Sequence, residues 1–190
     1  MRAHTLPQNN PSGQSRFLSR DLESLFARTF QQDYATVLRG GAEEPLYLPG
    51  EPALICYTRD YFRSALHEVA HWCVAGVSRR MREDYGYWYS PDGRSKLQQA
   101  EFERVERRPQ ALEMLFCAAC GHRFSVSLDN LNGGGGADSR FAEAVRDEAL
   151  MLLSKGPGGR AGRWIETLLD YYRGGVPLQS EDVPVIRVSS

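Results

Sequence analysis

His67-Glu68-Val69-Ala70-His71 forms an H-E-x-x-H motif in the first half of the 190-residue chain. On a helix, side chains four residues apart project from the same side one turn apart, so His67 and His71 would present two imidazoles to one metal ion. Two histidines leave such a site incomplete; a further carboxylate or imidazole must come from elsewhere in the chain. His4 lies in a polar leader and His122 follows Gly121 at an expected helix end, so carboxylates are the better source. The segment Glu101-Phe102-Glu103-Arg104-Val105-Glu106 supplies several. If Phe102, Val105, Leu112 and Phe116 form a buried stripe, Glu106 falls about 80° from its centre, where an interhelical site would form, and Glu103 about 140° away, toward solvent. Glu106 is therefore preferred as third ligand. Glu103 comes second because Pro109 disturbs the helical phase, and Glu101 and Asp84 are further possibilities. Gln110 could hydrogen-bond a ligand or simply face water. Glu68 has two readings: a general base acting on metal-bound water in a peptidase, or a carboxylate orienting water or substrate in an oxygenase. Against these readings stand the ordinary ones, surface histidines and solvated charges such as a Glu103–Arg107 pair.

The elements that must position these groups are legible as hydrophobic periodicity. Leu22, Leu25, Phe26 and Phe30 predict an amphipathic helix with Ser19 as N-cap. Apolar runs at 36–38, 46–48 and 53–57, punctuated by Gly and Pro, predict short strands. A helix over 61–75 buries Phe62, Leu66, Val69, Ala70 and Cys73, and its histidine face, shared with Ser64 and Ala75, lies about 120° from that stripe. Beyond the aromatic run Tyr85-Gly86-Tyr87-Trp88-Tyr89, a helical stripe passes through Pro109, either broken there or continuous. Gly133–Gly136 reads as a flexible loop, followed by helices over about 139–153 and 160–172. Cys117-Ala118-Ala119-Cys120 has no second pair for a zinc site and closes a helix rather than opening one, so buried structural thiols are expected. Helices outnumber strands, which predicts an α+β fold in a single domain with a small sheet. The division is a disordered leader over 1–16, a catalytic domain over 17–175 and an irregular tail over 176–190.

Composition narrows the function classes. A formal net charge of −1 argues against phosphate-backbone binding as the main task, so no direct nucleic-acid role is expected. No apolar run approaches the ~20 residues that span a bilayer, and the N-terminal stretch lacks a secretory h-region. Four cysteines suit reduced thiols in a cytoplasm.

Longer runs carry a resemblance. His67-Glu68-Val69-Ala70-His71-Trp72-Cys73-Val74-Ala75-Gly76, Arg79-Arg80, Asp84-Tyr85-Gly86-Tyr87-Trp88-Tyr89, Pro91-Asp92-Gly93-Arg94, Phe102-Glu103-Arg104-Val105-Glu106, Pro109-Gln110-Ala111-Leu112 and Ser127-Leu128-Asp129-Asn130-Leu131 resemble the elongation factor P hydroxylase family over about 20–175. The resemblance implies an Fe(II)-dependent monooxygenase, with molecular oxygen as co-substrate, that hydroxylates a lysine of the translation factor, usually one already bearing a β-lysyl group. It implies His67 and His71 as metal ligands with Glu106 or Glu103, and an architecture related to small H-E-x-x-H metal hydrolases. Whether 2-oxoglutarate or another reductant supplies electrons is not implied. Tyr85, Tyr87, Trp88 and Tyr89 would hold the aliphatic stem of the substrate while Asp84 or Asp92 meets its ammonium. Arg79, Arg80, Arg82, Arg104, Arg107 and Arg108 could form a basic flank for an acidic partner, or be ordinary helix-surface arginines. The competing reading of the motif is a zinc metallopeptidase with Glu68 as base.

Overall fold

Residues 16–84, 95–127 and 135–186 are described by a computed structural model of the chain. Helix α1 (Ser19–Tyr34) buries Leu22, Leu25, Phe26 and Phe30, the set their spacing predicts. Its N-cap is Leu18, one residue before the expected Ser19, and no side chain caps it. The helix ends in a left-handed Ala35 and runs directly into β1 (Thr36–Ala42). Strands β2 (Leu46–Leu48) and β3 (Ala53–Thr58) complete a sheet of order β1-β3-β2, with β1 parallel and β2 antiparallel to β3. Ala53, Ile55 and Tyr57 alternate inward along the central strand, as one buried sheet face requires. Gly40 lets β1 pass closely: a Cβ there would stand 2.7 Å from the Arg59 carbonyl oxygen and the Tyr57 ring.

Helix α2 (Phe62–Val74) leaves β3 after a short turn and buries Leu66, Val69, Ala70 and Trp72. Ser95 and Gln98 form a capping box that starts α3 (Lys96–Cys120), so two backbone donors at this helix end are satisfied reciprocally. The helix runs unbroken through Pro109, which settles the ambiguity in the sequence, and Gly121 terminates it in the left-handed conformation. Helices α4 (Gly135–Lys155) and α5 (Gly159–Arg173) pack on α3, which also contacts α2 and so runs through the centre of the helical layer. The fold is α+β in one domain, as expected.

Several boundaries differ from expectation. Strand β1, expected over 36–38, continues through Gly40 and Gly41 to Ala42. Gly135 and Gly136 belong to the first turn of α4 rather than to a loop; glycine costs a helix most in its interior, and these two lie at its edge. Gly133 and Gly134 lie outside the described residues. At the N-terminus, Arg16 is part of the fold: its guanidinium donates to the carbonyls of Cys120 at 3.5 Å and Tyr172 at 3.3 Å, near the C-terminal ends of α3 and α5. Residues 1–15 of the expected leader and 187–190 of the tail lie outside the described residues. Within the tail, Leu178 and Val183 are buried around a short 3-10 turn at Ser180–Asp182.

The core is aromatic where α1, α2 and α5 meet. The Phe26 and Phe30 rings lie 5.1 and 5.0 Å from Trp72, and Trp164 closes the cluster at 5.7 Å from Phe26. Tilted and edge-to-face contacts at such distances add about 0.5–1.5 kcal/mol per pair beyond area burial. Cys117 and Cys120 are buried, and burial pushes both thiols up, consistent with structural roles. Among the described residues no helix is long and apolar enough to cross a membrane.

Candidate metal centre

Phe62, Leu66, Val69 and Trp72 fix α2 in the core and thereby turn His67 and His71 toward α3. Their Nε2 atoms lie 3.0 Å apart. From α3, Glu106 brings one carboxylate oxygen to 3.2 Å from His71 Nε2 and the other to 3.8 Å from His67 Nε2. One ligand atom from each of the three residues can be chosen so that all lie within 4.8 Å of one another. Donor atoms each about 2.0–2.1 Å from a shared ion stand roughly 3 Å apart, so the spacing suits a single metal. Glu106 is only 5 % exposed, a costly place for a carboxylate without a cationic partner. Glu103, the second candidate, instead accepts a hydrogen bond from Gln99 at 3.1 Å.

Three supporting groups surround the ligands. Glu113 is fully buried two turns beyond Glu106 and lies 2.8 Å from His67 Nδ1. With Nδ1–H donating to Glu113, the lone pair of Nε2 faces His71 and Glu106, the tautomer a metal requires. Arg63, one turn before His67, donates from Nε to the other Glu113 oxygen at 2.7 Å and so compensates its charge. Gln110 Nε2 makes a long hydrogen bond, 3.4 Å, to Glu106. Helical phase singled out neither Glu113 nor Arg63 at the sequence level. The signal was there: Glu106, Gln110 and Glu113 are spaced i, i+4, i+7, the pattern of one helix face.

The electrostatics of the metal-free site are those of a cation pocket. Burial alone would lower the pKa of His67, but the hydrogen-bonded Glu113, helped by Glu68 and Glu106, raises it to about 10. Burial alone would raise Glu106; His71 and His67 overcome this and hold it down at about 2. The site thus keeps two carboxylates ionised and holds a positive charge between them. The sequence profile of the elongation factor P hydroxylase family matches residues 25–183. The chain belongs to that family. It is also 43% identical over 156 residues, 80% of this chain and 88% of the relative, to the elongation factor P lysine hydroxylase of Haemophilus influenzae. Neither comparison points to a peptidase.

Other residues singled out from the sequence fall in several places in this hydroxylase-family chain. Glu68 lines a cavity of ≈ 40 Å³ beside His71, with Leu46, Tyr47, Ile55 and Trp72 as walls. Burial raises its carboxyl above the ordinary value, while His67 and His71 pull it down. Asp84 stands at the rim of that cavity; its backbone pairs with Tyr47 in both directions, at 2.7 and 3.0 Å, and its carboxylate is bound by Arg79. The Asp84 carboxylate therefore already has a cation. Tyr85, Tyr87, Trp88, Tyr89 and Asp92 lie outside the described residues. The basic flank is largely paired: Arg104 with Glu101, and Arg107 and Arg108 with Glu148 at 3.9 and 3.5 Å. Arg107 thus turns to α4 rather than to Glu103.

Proposed function

We propose that this chain hydroxylates a lysine side chain of translation elongation factor P, one extended by a β-lysyl group, at an Fe(II) centre held by His67, His71 and Glu106. The observation that carries the reading is the convergence of these three side chains from two helices in a chain of the elongation factor P hydroxylase family. Ferrous iron with molecular oxygen would supply the oxidising power to functionalise an unactivated C–H bond, one oxygen atom entering the substrate and the other taking two electrons from a separate reductant, chemistry outside the reach of side chains alone. Two imidazoles and one carboxylate leave open positions on the ion, the arrangement of non-haem oxygenases.

The protein's own groups account for the rest. Glu113 orients His67, and Gln110 restrains Glu106. Leu46, Ile55 and Trp72 give the adjoining cavity one apolar side against which an aliphatic stem can lie, and Glu68 places a carboxylate beside His71 where a substrate ammonium or a water can be oriented. We assign Tyr85, Tyr87 and Trp88, which follow Asp84 in the sequence, to the substrate stem on the chemistry of aromatic faces and cations alone. The substrate being a translation factor, the site of action is the cytoplasm.

Intact mass of elongation factor P co-expressed with the chain tests the proposal. A gain of one oxygen that disappears with His67→Ala supports it. A mass unchanged by the wild-type chain, or an oxygen gained equally with His67→Ala, rejects it. Metal analysis after anaerobic purification should find iron; zinc together with peptide cleavage abolished by Glu68→Gln would establish the peptidase reading instead.

A further inference from the structure

The groups that support the metal ligands are themselves held by one short stretch of backbone. Beyond Gly121 the chain leaves α3 and folds back beside it over 122–127. Arg63, which compensates Glu113, donates from Nη1 to Ser125 Oγ and from Nη2 to the Ser125 carbonyl, both at 2.6 Å. Two residues on, Gln110 holds Ser127 at two points: Nε2 donates to the Ser127 carbonyl at 2.8 Å, and Oε1 accepts from the Ser127 N–H at 3.0 Å. The same Gln110 Nε2 faces Glu106. Two lines of hydrogen bonds therefore run from this stretch to the ligands: Ser125–Arg63–Glu113–His67, and Ser127–Gln110–Glu106.

We infer that the 125–127 backbone is a positioning element for the metal centre, fixing His67 through Arg63 and Glu113 and Glu106 through Gln110. The inference rests on the reading of His67, His71 and Glu106 as a metal site. The physical reason lies in the polar side chains. Gln110 is fully buried and carries two donors and two acceptor sites, so it can hold Glu106 in one orientation only if its own amide plane is set. The two-point bond to Ser127 sets it. Glu113 is likewise buried, and Arg63 pairs with its second oxygen at 2.7 Å. Arg63 is partly exposed and has a long flexible stem, and the double bond to Ser125 holds its fork against Glu113. Partners of this outer kind typically change metal affinity about 10–100-fold when removed.

The test measures Fe(II) affinity anaerobically by chelator competition, with thermal unfolding of each metal-free variant as a check on folding. Ser127→Pro deletes the N–H that Gln110 accepts, and Glu113→Gln keeps the shape but removes the charge facing His67. Both should remain folded and bind Fe(II) at least tenfold more weakly, with Glu113→Asp recovering part of the loss. Ser125→Ala, which removes one of the two Arg63–Ser125 hydrogen bonds, should fall between them and wild type. His71→Ala separates the two levels of the argument. If His71→Ala abolishes binding but Ser127→Pro and Glu113→Gln bind as wild type, the positioning role is overturned and the metal site stands. If His71→Ala binds Fe(II) normally, the metal site itself is wrong. Should Ser127→Pro fail to fold, Gln110→Leu, which removes the same clamp from its other end, replaces it under the same criterion.

Discussion

One side of α2 carries Leu66, Val69 and Trp72 into a cluster of rings; the other carries His67 and His71 toward the carboxylates of α3. The first side is held by contacts with little directionality, in which Phe26, Phe30 and Trp164 share the packing. The second is held by hydrogen bonds and charge pairs, each with one donor, one acceptor and one workable geometry. Dispersion and burial tolerate small displacements, whereas a misplaced ligand oxygen does not ligate. The aromatic face therefore decides whether the chain folds, and the histidine face decides what the folded chain can hold.

Glu106→Gln should give the largest separation of these roles. The amide keeps the volume but loses the anionic ligand, so Fe(II) binding and hydroxylation of elongation factor P should drop by more than about 100-fold, while the metal-free variant still unfolds cooperatively and loses only the stability of the Glu106 pairing with His71 and His67. A variant that no longer folds would erase the distinction. Phe26→Ala inverts the pattern: urea unfolding should show about 3–5 kcal/mol of destabilisation, while Fe(II) affinity of the folded fraction stays unchanged.

A smaller effect concerns pH in the metal-free protein. His67 has a folded pKa raised from 6.5 to about 10, so its pairing with Glu113 stabilises the fold fully below pH 6.5 and is lost as pH rises through about 10. Glu106 is depressed from 4.5 to about 2, so its contribution is present above pH 4.5 and is lost as pH falls through about 2. The melting temperature should be highest between these windows and fall on either side. Bound Fe(II) should flatten the alkaline fall, because the metal takes over the charge the His67 proton supplies. The least change is expected for Glu103→Ala, whose carboxylate meets only Gln99 among the hydrogen bonds described: within about 0.5 kcal/mol in stability and no change in Fe(II) affinity.

Much of the apolar half was legible in the sequence because periodicity is local. Leu22, Leu25, Phe26 and Phe30 reported their helix without any knowledge of Trp72, and the runs at 46–48 and 53–57 were set off by glycines and prolines, whereas β1 continues through Gly40 and Gly41 to Ala42. The histidine pair was legible for the same reason, being one turn of one helix. Glu106 could be ranked ahead of Glu103 by phase alone, because the buried stripe of α3 continues past Pro109. Glu113 was not found, since its meaning lies in His67, a residue on another helix, and its own neighbours in sequence are apolar. The 122–127 stretch was harder still. There the Ser125 hydroxyl and carbonyl and the Ser127 backbone make the contacts that matter, and neither a single serine hydroxyl nor a peptide group, which nearly every residue carries, marks a role in the sequence.

Arg16 shows that the foldable unit reaches ahead of α1. Both α3 and α5 finish with carbonyl oxygens that lack helical partners, and the partial negative charge of two helix ends collects at one spot. A single guanidinium from just ahead of α1 neutralises that spot and ties the beginning of the polypeptide to the far ends of two later helices. An expression fragment trimmed to Ser19, where regular structure begins, would discard this clasp; one beginning a few residues ahead of Arg16 keeps it.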